Sequence, residues 1–217
     1  MAARDGFPTR VTERVGRPRW PGADLPGRRL FVAVPLPADL TSSVASLVEQ
    51  IRAEGLAGRG RDVRWVRLDS LHLTLRFLGP TLDDRVEAAA SAVRVTAQDA
   101  SAFEASIGGA GAFPSAHRPR ALWLGIRLGA GDLAALAGSV DRALTAAGWE
   151  LDPKPYTAHL TLARSDGVRA GALIGARLTE LAEGLDIRFR ADRIGLYESL
   201  TGGGPARYEP LEISELR

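Results

Sequence analysis

The chain has 217 residues, 45% of them hydrophobic, with three histidines and no cysteine, which excludes disulfides, thiolate metal sites and a cysteine nucleophile. No run approaches the roughly 18–20 apolar residues of a membrane-spanning helix, and the arginine-rich start lacks the apolar stretch of a signal peptide, so a cytoplasmic protein free of the membrane is expected. The formal net charge is +2, but residues 1–29 carry seven arginines against Asp5, Glu13 and Asp24, a net of +4 that leaves −2 for the rest; such a body argues against a broad basic face for duplex nucleic acid, and any nucleic-acid substrate should be gripped locally, at an end.

Residues 1–28 hold scattered Arg, Gly and Pro without apolar periodicity, the pattern of a disordered basic tail, and a single folded domain is expected over 29–217. It opens on Leu30-Phe31-Val32-Ala33-Val34, a buried strand ended by Pro35 and Pro37. Leu40, Val44, Leu47, Val48 and Ile51 recur at helical spacing up to Gly55. Past a Gly-rich loop at 55–60, Val63 and Trp65 alternate with Arg64 as in a strand, and a strand beginning at His72 follows. Leu82, Val86, Ala89, Ala90 and Val93 predict a second helix, and Phe103 to Ile107 another strand. The order then repeats. Ala121 to Leu128 is a strand, Leu133 to Leu144 a helix closed by Gly148, and a strand begins at His159. Leu173, Leu178 and Leu181 predict a helix, Ile187 and Phe189 a late strand, Gly202-Gly203-Gly204-Pro205 a turn, and Tyr208 to Ile213 a final strand.

Two of the three histidines stand in one tetrapeptide written twice, His72-Leu73-Thr74-Leu75 and His159-Leu160-Thr161-Leu162. In a strand, side chains alternate between faces, so each copy anchors its leucines in a core and offers one imidazole and one hydroxyl to whatever lies opposite. Two such strands facing one cleft make a two-histidine acid–base site, with His72 and His159 as the catalytic pair. Thr74 and Thr161 share those faces and offer hydroxyl donors to the same ligand. The motifs start 87 residues apart, which predicts a duplicated unit with one lobe per half. Alternation carried further puts Arg76 on the His72 face, where its guanidinium could meet an anionic group, and points Arg164 away.

HLTLRFLG and HLTLAR resemble the paired His-x-Thr-x signatures of the 2H phosphoesterase superfamily. More narrowly, the chain is similar to bacterial and archaeal RNA 2′,3′-cyclic phosphodiesterases, once called 2′-5′ RNA ligases. RLFVAVPLP at 29–37, VRWVRLDSLHLTLRFLG at 63–79, GAFPSAHRPRALWLGI at 111–126 and PYTAHLTLAR at 155–164 carry the likeness through nearly everything after residue 28. It implies a bilobal α+β fold in which two antiparallel sheets form a concave groove with helices packed outside. It also implies opening of a 2′,3′-cyclic phosphate to a 2′-phosphomonoester with no metal or other cofactor, His72 acting as general acid and His159 as general base. The resemblance further places an arginine by the phosphate at Arg164, which requires a bulge or strand end after Leu162. The extra basic N-terminus and Thr157-Ala158 before His159 depart from the family pattern.

RNA ends or nucleotides bearing a 2′,3′-cyclic phosphate are the expected partners, and a cleft built within one chain needs no second copy, so a monomer is expected. Three readings compete: an end-joining ligase running the chemistry backwards, a noncatalytic module that binds RNA ends, and a metallohydrolase that recruits His117 to the pair. The last lacks ligand spacing such as His-x-x-x-His, and His117 sits in a Gly/Pro-rich loop as an inert imidazole. Trp65, Phe77, Trp123 and Tyr156 are expected in the core or on cleft walls, where one can stack on a nucleobase.

Overall fold

A computed structural model describes residues 26–56, 63–151, 153–165, 169–200 and 206–217. The tail expected at the N-terminus up to residue 25, most of the Gly-rich loop and the Gly202–Pro205 turn lie outside the described residues. In chain order the elements are β1 (Arg28–Pro35), α1 (Ala38–Ala53), β2 (Val63–Trp65), β3 (His72–Thr81), α2 (Val86–Asp99), β4 (Phe103–Phe113), β5 (Ala121–Leu128), α3 (Ala130–Ala146), β6 (His159–Ser165), α4 (Arg169–Ala182), β7 (Ile187–Ala191), β8 (Arg193–Leu200) and β9 (Arg207–Glu215). No described helix is long and apolar enough to cross a membrane.

The strands form two antiparallel sheets, ordered β3-β1-β8-β9 and β2-β6-β5-β4-β7. Apart from the short β2, each sheet has a His-Leu-Thr-Leu strand, then the strand that opens its half, then two more. The duplication read from the repeated tetrapeptide is thus visible as matching strand order. Neither sheet, however, is drawn from one half of the chain alone. β4 ends the first half yet pairs with β5 in the second sheet, while β8 lies between β1 and β9 in the first. The single late strand expected from Ile187 onward is two: β7 closes the second sheet, Asp192 carries the chain across, and β8 enters the first. Hydrophobic alternation marks a strand but not which sheet receives it.

Helices cover the outer faces and cross over likewise. α4 packs on β4, α2 on β8 and β9, and α3 on α2 and β3. Leu40, Val44, Leu47, Val48 and Ile51 form the buried stripe of α1, and Leu133, Leu136, Ala137, Val140 and Leu144 that of α3, as their spacing required. α3 ends as the sequence placed it: Gly148 takes a left-handed φ of 84°, its N–H donates to the Thr145 carbonyl, and the N–H of Trp149 donates to Leu144.

Two boundaries differ from expectation. Leu82 is exposed and extended ahead of a 3-10 turn at Asp83–Arg85, so α2 begins only at Val86. β4 runs six residues beyond Ile107, because Gly109 takes a positive φ of 70° and absorbs the irregularity in its pairing with β5.

Candidate active site

Alternation within each tetrapeptide holds. Leu73, Leu75, Leu160 and Leu162 are buried, with 3% exposure or less, while His72, Thr74, His159 and Thr161 look the other way and are half-buried. β3 is the edge of its sheet, and β2 covers β6 only along Ala163–Ser165, so the His159 end of β6 lies open to β3. The two half-sites meet there: His72 from β3 and Thr161 from β6 line one small cavity of about 20 Å³ with Val66, Ser70, Leu71 and Tyr208.

Both imidazoles are held in the same way. His72 Nδ1 lies 2.8 Å from the Ser70 carbonyl oxygen, and His159 Nδ1 lies 2.7 Å from that of Thr157, each two residues upstream. A carbonyl only accepts, so Nδ1 carries the proton and Nε2 is left for chemistry. Burial lowers both pKa values below the usual histidine range; the backbone carbonyl opposes this in each case, and at His159 the charge of Arg164 lowers it further.

Aromatic rings frame each imidazole. His72 lies 4.8 Å from the ring of Phe31 and meets Tyr208 edge-on at 4.9 Å, while Tyr197 stacks on Phe31. His159 meets Phe113 edge-on at 5.1 Å, and Trp123 packs against Phe113. The indole lies over Gly111 so closely that a Cβ there would collide with it, which explains a glycine in mid-strand. Of these rings the sequence pointed only to Trp123. Phe31 reads as core because it sits inside an apolar run, and its burial is by these neighbouring rings. Tyr208 offers a weaker signal still, as a strand residue near the C-terminus. Trp65 lies instead beneath the Arg52 guanidinium, and Phe77 stands half-exposed 6.0 Å from Phe31.

The arginines reverse the parity argument. In the pairing of β5 with β6, Leu122 faces Ala163 and Trp123 faces Thr161, leaving Leu162 opposite no residue. That bulge buries Leu162 and Ala163 together and returns Arg164 to the face of His159 and Thr161. Arg164 is exposed on that face, yet partial desolvation lowers its pKa first of all, the Tyr208 phenol raises it, and Arg64, its partner in β2, lowers it. The same irregularity occurs in β3, where Val32 faces Arg76 and Ala33 faces Thr74, skipping Leu75. There it turns Arg76 away from His72 and toward α3, where Nε donates to Asp141 Oδ1 at 2.6 Å and the guanidinium forms an ion pair with the same carboxylate.

The expectation that Arg76 shares the His72 face is therefore corrected. Period-two alternation fails at a bulge, and Phe77 takes the place in β3 that Arg164 takes in β6. Arg76 acts as a tie between sheet and helix: R76A should lower unfolding stability by about 1–3 kcal/mol, the loss of a half-buried charged hydrogen bond, and leave turnover within about threefold. Thermal melts and a hydrolysis assay check both halves of that statement.

His117 is exposed in the loop between β4 and β5, apart from the pair. Among the described residues no group of three or more His, Asp or Glu is gathered closely enough to hold a metal ion.

Two antiparallel sheets thus bring matched His-x-Thr strands together, with His72 of one and Thr161 of the other lining one cavity and an arginine on the His159 face. Residues 40–203 match the family model described as the 2′-5′ RNA ligase superfamily. A similar protein from Archaeoglobus fulgidus, named RNA 2′,3′-cyclic phosphodiesterase, is 34% identical over 136 residues, 63% of this chain and 72% of its own. Another of the same name from Methanothermobacter thermautotrophicus is 29% identical over 87% of this chain and 98% of its own, and one from Aeropyrum pernix is 34% identical over 54% and 65%. Among solved structures, E. coli LigT complexed with 3′-AMP superposes with a TM-score of 0.68 at 28% identity, covering 87% of this chain and 98% of that one. The chain belongs to the 2′-5′ RNA ligase superfamily.

Proposed function

We propose that this protein opens 2′,3′-cyclic phosphates at RNA ends or on nucleotides, leaving a 2′-phosphomonoester, by acid–base catalysis between His72 and His159. The observation that carries the reading is the matched pair of imidazoles, each with Nδ1–H tied to the carbonyl two residues upstream and Nε2 left over. The names of the relatives support the reaction.

In the forward direction His159 Nε2 takes a proton from water, whose oxygen attacks phosphorus. The bond from phosphorus to the 3′-oxygen breaks, and that oxygen takes the proton of His72 Nε2. The charge of Arg164 disfavours a proton on His159 and so supports its assignment as the base. Thr74 and Thr161 donate to the non-bridging oxygens, and Arg164 balances the charge that builds there in the transition state. Both half-sites come from one chain, which supports a monomer; the cytoplasm and a metal-free reaction are part of the same reading.

The test is incubation with 2′,3′-cyclic nucleotides and RNA ends in EDTA, with the products resolved. A 2′-phosphate product supports the reading, unchanged substrate overturns it, and a longer strand identifies ligation instead. The pH profile is part of the same experiment. The base works when neutral and the acid when protonated, and burial has lowered both pKa values. kcat/KM should therefore be bell-shaped with its centre on the acid side of about pH 6.5. A flat profile argues against a histidine pair.

A further inference from the structure

We propose that Arg64 forms a second phosphate subsite, which takes the phosphodiester next to the reacting end and makes an RNA strand a better substrate than a mononucleotide. This rests on the hydrolytic reading above and adds the substrate class to it.

β2 is three residues long and pairs with β6 only where Arg164 sits. Val63 and Trp65 pack against the apolar core, and Trp65 lies beneath the Arg52 guanidinium, so alternation turns Arg64 to the opposite face, that of the groove. Arg64 is the direct cross-strand partner of Arg164. Like charges directly opposed in an antiparallel pair repel, and the repulsion registers as Arg64 lowering the pKa of Arg164. Two guanidiniums side by side on one face can serve two successive anionic groups of one strand.

The geometry suits phosphate. Neighbouring strands lie about 4.8 Å apart, and a guanidinium offers phosphate oxygens a planar fork of donors. If Arg164 holds the reacting phosphoryl group, Arg64 stands one strand further out, on the outermost strand of its sheet. A nucleotide chain leaving the cleft over that edge brings its next phosphodiester to Arg64. A cyclic mononucleotide has no such group.

The experiment compares kcat/KM for a 2′,3′-cyclic mononucleotide and for a short oligonucleotide ending in the same cyclic nucleotide, in the wild type and in R64Q, at several salt concentrations. The ratio of oligonucleotide to mononucleotide kcat/KM should fall about 10-fold in R64Q, mostly through KM, as expected for one charge-assisted phosphate contact. The salt slope for the oligonucleotide should shrink by about 0.7, one phosphate of a single strand. R64K should recover part of the ratio, because charge remains without the fork.

An unchanged ratio in R64Q overturns the subsite, whether both substrates slow equally or neither does, and thermal melts separate the first case from unfolding. Wild-type protein that opens neither substrate overturns the hydrolytic reading itself, and the subsite falls with it.

Discussion

Replacement of either His72 or His159 by Ala is expected to lower kcat on a 2′,3′-cyclic nucleotide by about 10²–10⁴-fold while the fold survives, since a positioned proton transfer is worth that much and neither imidazole lies among the apolar side chains of the core. The two variants should differ in one respect. H72A removes the proton that the 3′-oxygen takes up, so a substrate with a better leaving group should recover much of its rate. H159A removes the acceptor for the proton of water, and a better leaving group should help it less. The double variant should be little slower than either single one, because the transfers belong to one displacement and their losses do not add. Two independent losses that multiply would show that the histidines serve separate steps. Circular dichroism and thermal melts on each variant establish that activity rather than folding was lost, and each variant should keep its affinity for substrate within a fewfold if Arg164 and the threonines supply most of the binding.

The second large effect is expected at Arg164. R164Q should cost about 10²–10³-fold in kcat, the loss seen when one preorganised donor to a developing oxyanion is removed. R164K should restore only part of it, because a single ammonium cannot reproduce a planar two-donor contact. The variant also carries a diagnostic sign: the guanidinium charge helps hold the His159 pKa down, so R164Q should shift the acidic limb of the kcat/KM profile to higher pH. An unchanged limb would mean that Arg164 and His159 do not sense one another, and that the acid and base roles need another basis. R76A is the natural contrast, with lowered stability and nearly intact turnover. The reverse result, a dead R76A and an active R164Q, would mean that the bulges in β3 and β6 do not orient these arginines as described.

The two tetrapeptides carried most of the candidate site before any coordinates. Their identity marked a duplication, and alternation sorted imidazole and hydroxyl from leucine, because those facts depend only on neighbours two residues apart. Arg76 and Arg164 were sorted the wrong way by the same rule. The rule assumes an unbroken ladder, and the residue each strand skips, Leu75 or Leu162, shows no sign of it in its own type. The resemblance to known phosphodiesterases put Arg164 on the His159 side and called for a bulge after Leu162, and the slip in β6 lies there. The aromatic frame around the histidines was mostly out of reach, since Phe31, Tyr197 and Tyr208 come from three strands whose adjacency no local pattern announces. The exchange of β4 and β8 between sheets was hidden for the same reason: a strand's hydrophobic face fits either partner, and only the packed molecule selects one.

By itself, then, the amino-acid sequence determined the elements, the leucine rows that anchor β3 and β6, and the chemical identity of the paired groups, all set by periodicities of two and 3.6 residues along one stretch of chain. Tertiary structure alone decided that His72 shares a cavity with Thr161 rather than Thr74, that Arg164 returns to the face of His159 while Arg76 is tied to Asp141, and that Arg64 stands beside Arg164. Those choices depend on which strands pair and where a ladder slips, energies shared among residues distant in the chain, and no single segment contains them.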